Sequence, residues 1–362
     1  MTSQREIIVC GQLTLDLIPD LSKVPLSNLQ IPGSFSPAGA LKFSAGGCVG
    51  NTSIALHYLG ANVRLMACVG DDMLGTLTRQ IIRSHSAQLE AGLRIKHGET
   101  SPYTIVLSPS NIDRMFLHSA GLNQSFGIND VSFDAILPGS IFHFGYPTVL
   151  PHLYADEGIE LSIIMRRAKE KGAVAAMDLA MPDIFSHGID WRLLLHSVLP
   201  HVDIFIPSLE EIVYMLRREA FDDLQRGQNI DDGFLISLLD EFIECGVAIA
   251  GVKLGEGGMI LKLAEQQRIR ALGFPDTQFA GKVIYQPAFE VIANGTTGAG
   301  DSAYAAFLYA LANNFDFEAA ARFACAAGAW CVEAPDSAAG LPDAKTIQMR
   351  IASGWQTRPP LF

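Results

Sequence analysis

Short apolar runs and segments of helical period alternate along most of the chain. Ile7, Ile8, Val9 and Cys10 form a buried-strand pattern that ends at Gly11. Residues 17–45 carry Pro19, Pro25, Pro32 and Pro37 among glycines and serines, which predicts irregular or edge structure. In 51–59 the residues Ile54, Ala55, Tyr58 and Leu59 share one helical face, and Gly60 stops the helix. The run 63–69 predicts the next strand. Two apolar runs, 104–107 and 115–117, are joined by the turn-like Ser108, Pro109, Ser110 and Asn111, a hairpin signal.

Beyond residue 140 the alternation is regular. The runs 141–144, 173–177, 204–206 and 247–252 predict strands, with helices near 158–171, 209–218 and 233–245 between them. Such alternation predicts a parallel sheet covered on both faces. Residues 259–263 and 283–292 predict antiparallel additions, and 300–313 and 317–332 predict two closing helices, the last rich in alanine. No internal repeat or low-complexity tract interrupts the pattern. The expectation is one α/β domain over residues 1–362, with a mostly parallel central sheet.

Composition narrows the possible functions. The 362 residues are 49% hydrophobic and 18% charged, which is ample for a large core. A net charge of −12 without any Lys/Arg-rich stretch argues against nucleic acid, which calls for a clustered basic face. Phosphate is still admissible, because helix N-terminal N–H groups can bind it. Cys10, Cys48, Cys68, Cys245, Cys325 and Cys331 form no CxxC pair, and no His cluster completes a zinc site, so they are read as reduced thiols. No signal-peptide pattern and no run of membrane-spanning length is present, and the expectation is a cytoplasmic protein with no membrane partner.

The sharpest local signal is Asn294-Gly295-Thr296-Thr297-Gly298-Ala299-Gly300-Asp301 before an apolar helix. Glycines let the backbone turn sharply and approach a ligand, and the helix aims free N–H groups at the loop. An anionic phosphoryl group would meet several donors there. Asp301 stands where loop becomes helix; it could take a proton from an attacking hydroxyl or act as an ordinary N-cap. The phosphate loop GxxxxGK[ST] is absent. Residues 298–303 fit the looser dinucleotide pattern GxGxxA, but two helices follow where that unit requires a strand.

Together with Gly11-Gln12-Leu13-Thr14-Leu15-Asp16 and Ala45-Gly46-Gly47-Cys48-Val49-Gly50-Asn51, this loop resembles the ribokinase-like (PfkB) family of carbohydrate and nucleoside kinases. The resemblance runs in order through Ala55-Leu56-His57-Tyr58-Leu59-Gly60, Val69-Gly70-Asp71-Asp72 with Gly75, Gly255-Glu256-Gly257-Gly258 and Gly340-Leu341-Pro342. It implies a ribokinase-like fold and ATP-dependent phosphorylation of a sugar-like hydroxyl. Asp301 would be the base, and the N–H groups of Gly298, Ala299 and Gly300 the anion hole. Asp16, Gly46, Gly47 and Asn51 would line the sugar pocket, with Arg114 as a further substrate contact. Lys253, Gly255, Gly258 and Thr297 would hold ATP, and Glu211 would help to hold Mg²⁺ through water. Segments 17–45 and 98–118 match the family's small β-sheet lid, which implies a homodimer through that lid.

Several positions depart from the family pattern. Ser208 stands where Asn is usual near the metal, and Cys325 where Asn is common near the adenine. Gly295 replaces an Asp that supports a monovalent cation, which leaves K⁺ activation doubtful. Cys48 replaces a Lys found in many sugar-phosphate kinases of the family, which points to an unphosphorylated acceptor. Fructose, ribose, a keto-deoxy sugar acid and a nucleoside all stay open as acceptors. A nucleoside kinase, a non-catalytic sugar- or nucleotide-binding relative and a nicotinamide-dependent oxidoreductase stay open as other functions.

Overall fold

The computed structural model describes residues 4–110, 114–182, 186–228, 230–274, 278–295, 297–333 and 340–360. Its strands are β1 (Ile7–Gly11), β2 (Thr14–Pro19), β3 (Leu41–Gly46), β4 (Val63–Gly70), β5 (Leu93–Lys96), β6 (Tyr103–Leu107), β7 (Met115–Ser119), β8 (Ile141–Gly145), β9 (Val174–Asp178), β10 (Ile204–Phe205), β11 (Ile249–Lys253), β12 (Met259–Leu263) and β13 (Val283–Gln286). Nine of them form one sheet in the order β13-β12-β11-β10-β9-β8-β1-β4-β5, parallel except for the pairings of β12 with β11 and with β13.

The continuous apolar runs have a simple cause. Every residue of β1, β8, β9 and β11 is buried, as in a parallel sheet covered on both faces. Ile7 and Val9 point to one core with Val49, Leu56, Tyr304 and Phe307; Ile8 and Cys10 point to the other with Ile164, Leu195, Ile212 and Leu238. The Gly47–Leu59, Ala299–Ala312 and Phe317–Glu333 helices supply the first layer, and the Ile159–Glu170, Trp191–Val198, Leu209–Leu216 and Asp232–Glu244 helices the second. From β1 the chain runs outward through β4 and β5, then returns to β8 on the other side of β1 and proceeds towards β11. The crevice between β1 and β8 is therefore the switch point of the sheet, where ligands of open α/β folds bind.

The first long helix begins at Gly47, four residues before the predicted start at 51. All of Cys48 to Leu56 is buried, polar residues included, so no amphipathic stripe marks its beginning. β13 stops at Gln286, short of the expected 292, because Pro287 has no N–H to donate. The Met73–His85 and Trp191–Val198 helices and strand β5 are additions that the sequence pattern had not disclosed.

Segments 17–45 and 98–118 contribute to a separate four-stranded sheet, β3-β2-β6-β7. β2 pairs antiparallel with β3 and parallel with β6, and β6 antiparallel with β7. Pro25, Pro32 and Pro37 lie in the connection between β2 and β3 rather than in a strand. Residues paired across strands share a face. One face carries Asp16, Ser44, Thr104 and His118; the other carries Leu17, Phe43, Ile105 and Leu117, with Leu41 at its end.

Tyr304 locks the main sheet to its covering helix. Its buried hydroxyl lies 3.0 Å from both Met177 O and Ile204 O, at the ends of β9 and β10. Tyr304→Phe keeps the ring but strands these carbonyls, and is expected to lower unfolding free energy by about 1–3 kcal/mol in urea titrations.

Candidate active site

Five segments converge at the carboxyl ends of β1, β8, β9 and β11. The 294–298 loop is tied down by Asn294 N and Gly295 N, which donate to Val332 O at 2.7 and 3.3 Å. Gly298 turns the chain into the Ala299–Ala312 helix with φ 73°, a conformation that a side chain would strain. The N–H groups at the start of this helix have no intrahelical acceptor and face outward from its positive end. Asp301 lies in the first turn and is 3% exposed. It is not the cap: the cap position is Gly298, and no side chain caps this helix.

The Asp301 carboxylate instead accepts hydrogen bonds from other elements. Asn51 Nδ2 donates to Oδ2 at 2.9 Å, and the Tyr146 hydroxyl lies 2.9 Å from both oxygens. Thr52 Oγ1 lies 3.5 Å from Oδ1. Asn51 can reach because the buried Gly47–Leu59 helix packs directly on the Ala299–Ala312 helix. Burial pushes the Asp301 carboxyl up to about 7, reinforced by Asp178 and opposed by Lys253, Asn51 and Tyr146.

Lys253, at the end of β11, donates to Asp178 Oδ1 and Oδ2 at 2.8 and 2.6 Å. A Cβ at Gly300 would stand 3.6 Å from its Nζ, so the ammonium sits beside the helix start. Burial raises the Asp178 carboxyl, and Lys253 opposes that rise. Glu211 Oε2 accepts from Ser208 N at 2.9 Å in a capping box. Burial pushes the Glu211 carboxyl up to about 8, with Lys253 opposing and Asp178 and Asp301 adding to the rise. Ser208 therefore works as a helix cap.

On the small sheet, Asp16 faces this cluster. A Cβ at Gly46 would lie 2.1 Å from Asp16 Oδ2, and one at Gly47 1.9 Å from Gln12 Oε1, so side chains at the paired glycines would fill the space these groups occupy. Burial pushes the Asp16 carboxyl up to about 7; Thr104 opposes, and the Asp301 charge adds. Arg114 precedes β7 at the turn end of the hairpin, four residues along the strand from His118, whose rung is in register with Thr104 and Asp16.

Lys253, Gly255 and Gly258 line a cleft of about 300 Å³ together with Phe289, Val291, Gly300, Cys325 and Arg358. Its walls are largely apolar. Thr297 is placed by its carbonyl, 3.5 Å from Cys331 Sγ, and Thr296 lies outside the described residues. Cys48 does not face a pocket: it is wholly buried, with Sγ 3.5 Å from Thr52 Oγ1 and 3.4 Å from His143 Nε2. Its replacement of Lys thus concerns core packing and carries no information on the charge of the acceptor. Asp178 and Tyr146 escaped sequence reasoning. Asp178 is the last residue of the buried strand β9, a usable signal; Tyr146 has none.

Among the described residues no group of three or more His, Cys, Asp or Glu side chains is arranged to hold a metal by itself, and no helix is long and apolar enough to cross a membrane.

The family profile described as pfkB family carbohydrate kinase matches residues 4–344. The chain is 23% identical over 358 residues to the probable chloroplastic fructokinase-6 of Arabidopsis thaliana, covering 96% of this chain and 82% of that protein. It is 24% identical over 359 residues to fructokinase-2 of Solanum lycopersicum, covering 96% of each. The fold is similar to that of Arabidopsis thaliana ribokinase complexed with ribose and ATP, with a TM-score of 0.69 at 21% identity over 96% of this chain and 98% of that one. It is likewise similar to Xylella fastidiosa fructokinase with bound ATP, with a TM-score of 0.70 at 19% identity over 97% and 99%.

The clustered carboxyls set a sign for pH dependence. Burial pushes Asp16 and Asp301 up to about 7 and Glu211 up to about 8 in the folded chain. Between about pH 4 and pH 8 these three groups therefore bind more protons folded than unfolded, and their contribution to stability falls as pH rises, outweighing the opposite contribution of the single buried His143. The melting temperature is expected to drop from about pH 5.5 to about pH 8.5, and Asp16→Asn with Asp301→Asn to flatten that slope. Thermal melts across this range check it.

Proposed function

The chain belongs to the pfkB family of carbohydrate kinases, and on that premise we propose that it transfers the γ-phosphoryl group of ATP to a hydroxyl of an unphosphorylated sugar, with Asp301 as the general base. The observation that carries this reading is the buried Asp301 carboxylate in the first helical turn, beside donor-rich backbone and the Lys253 ammonium. A hydroxyl held between Asp16 and Asp301 gives its proton to Asp301 as its oxygen attacks the γ-phosphorus. The bond from that phosphorus to the β–γ bridging oxygen breaks, and ADP leaves. N–H groups of Gly298, Ala299 and Gly300 face the charge that develops on the transferred group.

The largely apolar cleft suits an adenosine, with its phosphates directed to Lys253 and Gly300 and with Gly255, Gly258 and Thr297 as further contacts. The ATP complexes of the similar ribokinase and fructokinase support the same donor. Mg²⁺ fits the charge balance: burial raises the Asp178, Glu211 and Asp301 carboxyls about the Lys253 ammonium, and a bound dication would favour their ionised forms. With Glu211 Oε2 engaged in its cap, the ion would be held mainly by ATP phosphates and by Glu211 through water, and would neutralise phosphate charge. Gly295 supplies no carboxylate for K⁺, which is therefore no part of the proposal. Two carboxyl groups facing the acceptor, Asp16 and Asp301, favour a neutral sugar over a sugar phosphate. Asn51, Gly46 and Gly47 border the acceptor pocket, and Arg114 is the outermost proposed contact. Six free cysteines accord with a reducing compartment such as the cytoplasm.

Asp301→Asn is expected to lower kcat by about 10²–10⁴-fold while ATP affinity stays within about threefold. In the same ADP-release assay, with sugars and nucleosides as acceptors, Asp16→Ala should raise KM for the sugar far more than for ATP. Near-normal kcat in Asp301→Asn would remove the base from the mechanism.

The small sheet is proposed to act as a lid and to pair two protomers. Its face away from Asp16 is apolar, and Leu41, Phe43 and Leu117 on it are 48%, 43% and 57% exposed. An outer face with such exposed apolar side chains is covered most simply by a second copy. Phe43→Glu with Leu117→Glu should convert a sedimenting dimer to monomer without lowering the melting temperature of the protomer. A native protein that sediments as monomer at micromolar concentration overturns the pairing.

A further inference from the structure

Tyr146 follows β8 at the switch point of the sheet and adopts φ 62° and ψ 45°, a left-handed backbone that is uncommon for an aromatic residue. Such a conformation persists only where its surroundings enforce it. Tyr146 N donates to Asp178 O at 3.1 Å, which ties the bend to the end of β9, and Pro147 continues it. The bend aims the phenol inward, with its hydroxyl 2.9 Å from both oxygens of Asp301. Asn51 Nδ2 takes Oδ2 from the other side. The carboxylate is thus clamped between two neutral donors carried by different layers of the fold.

We propose that Tyr146 is a positioning residue for the general base: its hydroxyl holds the Asp301 carboxylate ionised and correctly turned before the acceptor arrives, and keeps one oxygen while the acceptor hydroxyl takes the other. This rests on the assignment of Asp301 as base. A phenol suits the task because one proton can serve either oxygen, so the contact survives the exchange of partners. Burial pushes the phenol well above its ordinary range, with the Asp301 charge adding, so it stays protonated and donates. Removing the donor removes an interaction that favours the charged form of Asp301. The other ionisable groups that interact with this carboxylate are Asp178 on β9, Lys253 on β11, Asp16 on β2, Glu211 on the Leu209–Leu216 helix, Cys48 on the Gly47–Leu59 helix and Cys331 on the Phe317–Glu333 helix. None of them is altered by the substitution.

The test is the pH profile of kcat/KM for the sugar. Tyr146→Phe, which keeps the ring, should move the acid limb up by about one pH unit and lower kcat at neutral pH by about tenfold, with KM for ATP unchanged. Replacing Tyr146 by 3,5-difluorotyrosine strengthens the donor and should move the same limb down. Opposite shifts from these two replacements are not expected of a residue that only fills space. The second replacement preserves the shape of the side chain, so a Tyr146→Phe protein that fails to fold does not leave the question open. An unmoved limb in both overturns the positioning role, as does a rise in kcat on loss of the hydroxyl, which would mark Tyr146 as a competitor of the acceptor. Asp301→Asn distinguishes the two levels: an inactive Asp301→Asn with unmoved limbs sinks only the role of Tyr146, whereas an active Asp301→Asn sinks the base assignment itself.

Discussion

The structure is organised around a costly concentration of charge: Asp178, Glu211 and Asp301 gathered about the ammonium of Lys253 in the interior. Burying ionised groups is unfavourable unless partners satisfy them. Lys253 meets both oxygens of Asp178, Ser208 N meets Glu211, and Asn51 and Tyr146 meet Asp301. The carboxyls remain short of cations, which is why burial and mutual repulsion raise them towards neutral pH. Carboxyls in this condition bind a proton more readily than exposed ones do.

Holding that cluster requires backbone that approaches closely and does not move. Gly298 makes the turn that exposes helix N–H groups beside Lys253, while Gly46 and Gly47 leave room for Asp16 and Gln12. The Gly47–Leu59 helix, buried through Leu56, brings Asn51 and Thr52 against Asp301. Tyr304 joins the same scaffold to the ends of β9 and β10, one residue from Asp178. Apolar burial on both faces of the main sheet offsets the cost of the charged site. Chemistry and stability therefore pull in opposite directions at Asp301 and together in the core.

The two sheets divide the work. The main sheet supplies the rigid carboxyl-end crevice, and the small sheet brings Asp16 over it from a separate element. Asp16 on the small sheet and Asp301 in the helix that covers the main sheet sense one another electrostatically, so the charge of the cluster depends on how the two parts are placed.

The sequence by itself determined the architecture, because burial of a parallel sheet on both faces writes itself as apolar runs alternating with helical period. It also determined the glycine-rich loop before the last helices, which depends on residues adjacent in the chain. But it placed Asp16 at the close of the first strand, whereas Asp16 lies within β2 of the small sheet, a placement that depends on pairing with β3 and β6. It could not decide whether Asp301 was a cap or a buried carboxylate, nor that Asn51 would turn to Asp301, because those facts depend on how two distant helices pack. The start of the helix at Gly47 was hidden for a related reason: a segment buried on every side has no polar face to mark its period. Cys48 looked informative about the acceptor only while its side chain had no direction; packing against His143 and Thr52 gave it one. Asp178 and Tyr146 owe their roles entirely to convergence. A tyrosine after an apolar strand is unremarkable in a sequence, and only the tertiary structure, by bending the chain left-handed at that residue, points its hydroxyl at a carboxylate 155 positions away.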